Sequence, residues 1–166
     1  MRCPSFLLTD LMHLNHHLFM HEALYEARQA LCTGDVPVGA VVVMDDTIIG
    51  RGRNQREALA DPTAHAEVVA LRQAAQSTHS WRLERAVLYV TLEPCIMCVG
   101  AAVLSRIQGL VYGCRDPKAG ACGSQFDILG AQRLNHTFPI TAGICEAEAS
   151  TLLTTFFRQL RRKTIE

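Results

Sequence analysis

The apolar positions change period along the chain, and the changes mark its elements. From about His16 to Cys32, Phe19, Ala23, Ala27, Ala30 and Leu31 fall on one stripe at helical spacing, and Gly34 is a suitable stop. Val36 to Met44 is a nearly unbroken apolar run, which reads as a buried strand. Asp45-Asp46 then makes a tight turn, and Thr47 to Gly50 returns as the antiparallel partner. Arg51 to Thr63 is polar and reads as a loop. His65 to Ala75 has helical periodicity, Ala86 to Leu92 is a second buried strand, and Cys95 to Ser105 is a helix apolar almost all round. Gly109 to Gly113 is a further strand, followed by a Gly- and Ala-rich loop from Arg115 to Ser124. A short strand near Phe138–Thr141 and a helix from about Glu146 complete the chain.

A hairpin followed by alternating helices and strands predicts a three-layer α/β/α domain. Its central mixed sheet has about five strands, the later ones parallel and joined by right-handed crossovers. The helix 95–105 should be covered on both sides, by the sheet and by a partner subunit. No repeat, linker or low-complexity segment divides the 166 residues. Residues 1–15 read as an N-terminal extension of unknown role and 16–166 as the domain proper. A domain of this size buries roughly 70% of its unfolded surface.

Charge and cysteine content narrow the classes. Lys+Arg and Asp+Glu both total 16, so there is no global basic field, and nucleic-acid binding requires a local patch. Arg158, Arg161, Arg162 and Lys163 form such a patch; they equally suit a helix C-terminus, where the dipole favours cations. Seven cysteines without a secretory signal read as intracellular thiols and metal ligands. No apolar run is long enough to span a bilayer, so a cytoplasmic protein is expected.

The chemistry concentrates in His65-Ala-Glu67 and Pro94-Cys95-Ile-Met-Cys98. Two thiols one turn apart at a helix start, with one imidazole, make three zinc ligands and leave a fourth position open, the pattern of a catalytic rather than a structural zinc. Two thiolates neutralise the metal charge, so a nearby base must complete the activation of water. Glu67, two residues from His65, fits that role, and hydrolytic loss of ammonia from an amidine-type carbon is the reaction such a set performs. A lone Cys-x-x-Cys is also half of a closed zinc site or a redox pair. No second such pair is present, and the motif does not stand in a thioredoxin-like order. His13, His16, His17 and His21 read as a polar helix start, and Cys3, Cys32, Cys114, Cys122 and Cys145 as ordinary small residues.

With these residues the chain resembles the TadA family of bacterial tRNA-specific adenosine deaminases, within the cytidine-deaminase-like fold, from about His17 to Arg162. The resemblance rests on Val36-Pro-Val-Gly-Ala-Val41, Asn54, Asp61-Pro-Thr-Ala-His-Ala-Glu67, Tyr89 to Cys98, Arg115-Asp116 with Lys118, Gly120 and Gly123-Ser124, and Phe156-Phe157-Arg158. It implies a homodimer converting adenosine to inosine at the wobble position of an arginine tRNA, with one zinc per subunit held by His65, Cys95 and Cys98. It further implies that Glu67 shuttles protons, Asn54 bonds the nucleoside, Val36 and Leu92 wall the base, and Asp116 contacts a loop ribose. Cys114 and Pro117 depart from the family pattern beside that loop. The zinc motif alone also fits a deaminase of free guanine or cytidine, and a zinc-stabilised RNA-binding or scaffold protein is the non-enzymatic alternative.

Overall fold

The computed structural model describes residues 6–130 and 133–163, with side chains from residue 16. Cys3, residues 1–5 of the expected extension and the side chain of His13 lie outside the described residues. Helix α1 (Phe6–Ala30) passes through a 3-10 turn to Gly34, whose φ of 78° ends the helix as expected. Its start lies ten residues earlier than the apolar stripe suggests. Residues 6–15 carry no Gly or Pro, and Leu7, Leu11 and Leu14 continue to Leu18 at helical spacing, so the helical period reaches back through the expected extension.

Strands β1 (Gly39–Met44) and β2 (Thr47–Arg53) form the hairpin. Asp45 and Asp46 have φ of 50° and 57°, the paired left-handed geometry of a two-residue turn that matches the strand twist. β2 runs three residues beyond Gly50, and its two faces explain why. Cβ atoms on Gly50 and Gly52 would strike the Ala70 and Ala66 carbonyls of α3 (Ala66–Thr78), so these glycines let the helix backbone lie against the strand. Between them, Arg51 reaches Glu22 at 2.7 Å and Glu26 at 3.6 Å, and Arg53 reaches Glu26 at 3.5 Å, all toward α1. The polar run that follows is not all loop: Arg56–Leu59 forms the short helix α2.

β3 (Val87–Leu92), α4 (Ile96–Leu104), β4 (Gly109–Cys114), β5 (Ile140–Ala142) and α5 (Glu146–Lys163) follow in the expected order. The sheet order is β2-β1-β3-β4-β5, with β1 antiparallel to β2 and β3, and β3-β4 and β4-β5 parallel. Alternate strand residues supply two cores. Ala40, Val42, Leu88, Val90, Leu110 and Tyr112 pack with α3 and α4, whereas Val41, Val43, Tyr89 and Val111 pack with Met20, Ala23 and Leu24 of α1 and Ala149 of α5. Burial on both faces is why these strands read as continuous apolar runs. Each fully buried Val or Leu contributes about 1.5–3 kcal/mol. In α4, Cys98, Val99, Ala102 and Val103 are buried within the chain, while Ile96 and Leu104 face outward, on the side for which a partner subunit was expected. Among the described residues no helix is long and apolar enough to cross a membrane.

Candidate active site

Two helix N-termini meet at one end of the sheet. His65 is the N-cap of α3 and Cys95 the N-cap of α4, both with extended backbone. N-caps are usually Ser, Thr, Asp or Asn, whose side chains satisfy the first helical N–H groups. Here neither side chain caps its helix. They point at one another instead: His65 Nδ1 lies 3.7 Å from Cys95 Sγ and 3.5 Å from Cys98 Sγ, and the sulfurs are 3.7 Å apart. A tetrahedral zinc with bonds of about 2.3 Å to sulfur and about 2.0 Å to nitrogen has S···S and S···N edges of about 3.8 and about 3.5 Å. The three donors therefore already lie at the spacing the ion requires. Among the described residues no fourth His, Cys, Asp or Glu joins the group.

The charges around these donors are uneven. The Cys98 thiol, hydrogen-bonded to Cys95, together with His65, outweighs burial and holds Cys95 down to about 3, while the same hydrogen bond and burial push Cys98 up. Of the two thiols, Cys95 is thus the one that gives up its proton more readily to a cation. Glu67, on the first turn of α3, is 4% exposed, and burial pushes its carboxyl above the usual range. A carboxyl raised in this way exchanges protons near neutral pH more readily than an exposed one.

A cavity of about 220 Å³ opens onto this group. Its walls include His65, Glu67 and Cys95, and all four residues carried over for substrate: Val36, Asn54, Leu92 and Asp116. Asn54 Nδ2 donates to the Val36 carbonyl at 3.2 Å, and Asn54 Oδ1 is buried with no hydrogen-bond partner among the described residues. An unpaired buried acceptor costs about 1–3 kcal/mol unless a ligand supplies its donor. Asp116 Oδ1 accepts from the Lys118 and Ala119 N–H groups at 2.9 and 3.2 Å, so one of its oxygens is engaged by its own loop. The volume lies below the ~300–1,000 Å³ of pockets for drug-sized ligands and suits a single base.

A second cavity of about 570 Å³ shares Val36, Leu92 and Asp116 with the first. Arg115, Lys118 and Arg161 line it beside the half-exposed Phe157, so of the terminal basic residues Arg161 borders the site. A cationic wall with an aromatic ring suits stretches of single-stranded nucleic acid.

Three further residues have roles that sequence reasoning did not assign. Arg56 lines the smaller cavity. Asp35, fully buried, accepts from the Glu57 N–H at 2.8 Å, the Ala58 N–H at 3.3 Å and the Thr33 hydroxyl at 2.8 Å, pinning α2 beside Asn54. Glu93, 2% exposed, accepts from the loop after β4. Burial raises its carboxyl, and hydrogen bonds led by the one from Ser124 outweigh this and bring it below the usual range. An acidic residue at the end of an otherwise apolar strand was the available signal for Glu93.

A family model described as MafB19-like deaminase matches residues 14–161. The chain is 46% identical over 146 residues to a tRNA-specific adenosine deaminase of Bacillus subtilis (strain 168), an alignment covering 88% of this chain and 91% of that one. It is 47% identical over 145 residues to a tRNA-specific adenosine deaminase of Haemophilus influenzae, covering 87% of this chain and 84% of that one. It superposes with a TM-score of 0.79 and 42% identity on a structure from work on A-to-I editing by tRNA:A34 deaminases at the wobble position of transfer RNA, covering 81% of this chain and 98% of that chain.

Proposed function

This chain belongs to the deaminase family matched over residues 14–161, together with its tRNA-specific adenosine deaminase relatives, and from that premise we propose that it hydrolyses adenosine to inosine at the wobble position of a tRNA anticodon. One observation carries the reading: His65, Cys95, the buried Glu67 and Asn54 line a single base-sized cavity, and Cys98 completes the three zinc-type donors beside it. The net change is adenosine plus water to inosine plus ammonia.

His65, Cys95 and Cys98 would hold one zinc per subunit, and their mutual distances fit it. When bound, zinc supplies the Lewis acidity that activates a water toward the ring carbon bearing the amine. Glu67 takes the proton released from that water and passes it to a ring nitrogen. It then takes the second proton from the hydroxyl now on the tetrahedral carbon and delivers it to the departing amine, which leaves as ammonia. Asn54 Oδ1 accepts a hydrogen bond from the nucleoside, Val36 and Leu92 hold the base between apolar surfaces, and Asp116 contacts a loop ribose. Anticodon-loop bases are already unpaired, so turning one into the cavity costs less than extracting it from a duplex. Arg115, Lys118, Phe157 and Arg161 along the second cavity are placed to receive the flanking nucleotides.

The accepted RNA is an arginine tRNA, and the protein works in the cytoplasm, where such tRNAs are used. The deaminase domain spans residues 16–166, and residues 1–15 are an N-terminal extension of unknown role. The protein acts as a homodimer. Ile96, Gly100 and Leu104 lie four residues apart along α4, Ile96 and Leu104 are 48% and 72% exposed, and a second copy would cover this apolar stripe.

The test incubates zinc-loaded protein with an arginine tRNA carrying adenosine at the wobble position and, separately, with free adenosine, cytidine and guanine. Inosine in the tRNA without turnover of the free compounds is expected. Turnover of guanine or cytidine alone overturns the reading in favour of a free-base enzyme, and no turnover with zinc bound favours a non-catalytic RNA-binding protein.

A further inference from the structure

Glu93 stands between β3 and the ligand Cys95, separated from it by Pro94. A buried carboxylate is unfavourable unless hydrogen-bonded, and this one is bonded entirely from one loop. Oε2 accepts the Asp116 N–H at 3.0 Å and the Ser124 hydroxyl. Oε1 accepts the Cys122 N–H at 3.0 Å and the Ser124 N–H at 3.1 Å. Both ends of the segment 116–124 are thus tied to one side chain.

The middle of the loop closes on the same point. Gly120 donates its N–H to the Asp116 carbonyl at 3.0 Å, Ala121 donates to the Pro94 carbonyl at 2.8 Å, and Gly120 pairs with Cys95 in an isolated antiparallel bridge. A Cβ at Gly120 would strike the Glu93 carboxylate, so the loop is fitted around that group. Asp116 and Ala119 wall the smaller cavity, and Asp116, Pro117 and Lys118 line the larger one.

We infer that Glu93 is a positioning residue: its carboxylate sets the loop 116–124 as a wall of the substrate cavity and locks that wall in register with the ligand helix. This rests on the reading of the cavity as the adenosine site. All four partners are donors, so an acceptor-only group is required. Glutamine at this position keeps the volume but turns an NH2 group toward at least one of these donors. Aspartate, one methylene shorter, cannot hold both ends of the loop.

The test compares zinc-loaded wild type with Glu93→Gln and Ser124→Ala. It reads zinc per chain, amide hydrogen exchange, and kcat and KM on an anticodon stem-loop. Glu93→Gln is expected to keep its zinc and to speed exchange at Asp116, Cys122 and Ser124, with exchange in β1 unchanged. It is also expected to raise KM by about tenfold with a smaller fall in kcat, the size of effect that losing one or two charge-assisted hydrogen bonds produces. Ser124→Ala should shift the same readouts in the same direction by less. Unchanged loop exchange, loss of zinc from Glu93→Gln, or a fall in kcat with KM intact each overturns the inference. A failure of the adenosine reading shows separately, as absent turnover by the wild type, and the exchange measurement then still reports on the loop.

Discussion

Asn54, which lines the cavity, donates its side-chain N–H to the Val36 carbonyl at 3.2 Å and keeps its Oδ1 buried and unpaired. The bond fixes the amide orientation, so the acceptor is pre-set before substrate arrives. Asn54→Ala removes both the acceptor and the brace on the Val36 segment. It is expected to lower kcat/KM by roughly 10-fold or more, for a lost buried hydrogen bond of about 1–3 kcal/mol. Steady-state kinetics on a stem-loop substrate measure this, and an unchanged kcat/KM removes Asn54 from the binding site.

Glu67 lines the cavity beside the three donors without being one of them. Glu67→Ala is therefore expected to retain zinc at the wild-type stoichiometry while losing activity by at least about 10²–10⁴-fold, the usual contribution of a positioned proton carrier. Metal analysis alongside inosine formation separates the two. Loss of zinc with activity would make Glu67 a ligand.

Gly52 lets α3 lie against β2, and α3 carries His65 at its start. Gly52→Ala places a methyl group against the Ala66 carbonyl, and overpacking of this kind costs about 1–3 kcal/mol. A lowered unfolding midpoint together with weakened zinc affinity is expected, because the same displacement moves His65. Calorimetry with and without zinc distinguishes this from destabilisation alone.

Burial, and then the charge of Asp46, pushes the Tyr89 hydroxyl from its ordinary value of 10.0 up to about 12, and the hydroxyl also meets His16 Nδ1 at 2.9 Å. The folded value exceeds the unfolded one, so the neutral form is favoured by folding. That stability is fully present below pH 10 and is lost as the pH rises from about 10 to about 12. Urea unfolding at a series of alkaline pH values should show this decline in the wild type and a shallower one in Tyr89→Phe. Identical slopes would mean that Tyr89 is not the titrating group.

Leu104 is exposed in the single chain, so Leu104→Glu should leave monomer stability within about 0.5 kcal/mol. If a second copy covers α4, the substitution buries a charge in the interface and converts dimer to monomer in sedimentation velocity. A variant that still sediments as a dimer locates the interface elsewhere.

The sequence by itself determined the order of the main elements and singled out the His65, Cys95 and Cys98 donors that the fold brings together. Strand and helix periods follow directly from backbone geometry, so Val41–Val43 and the α3 run were legible without any contact information. His65, Glu67, Cys95 and Cys98 were legible because short spacings at helix starts constrain where side chains go. Missed or misplaced were the helical run of residues 6–15, whose Leu7, Leu11 and Leu14 do carry the period, and two features without one, the extension of β2 through Gly52 and the short helix α2.

Tertiary structure alone decided what the site is made of beyond its three metal-type donors. Asp35 looks like an ordinary acidic residue in sequence, and the place of Glu93 at the end of an apolar strand marks it without giving its partners, because a carboxylate shows its role only when N–H groups distant along the chain turn toward it. The orphaned oxygen of Asn54, the volume of the cavity and the selection of Arg161 from a run of basic residues are likewise long-range facts. Local sequence sets dihedral preferences over a few residues, whereas a cavity is bounded by segments whose meeting depends on how the whole sheet packs.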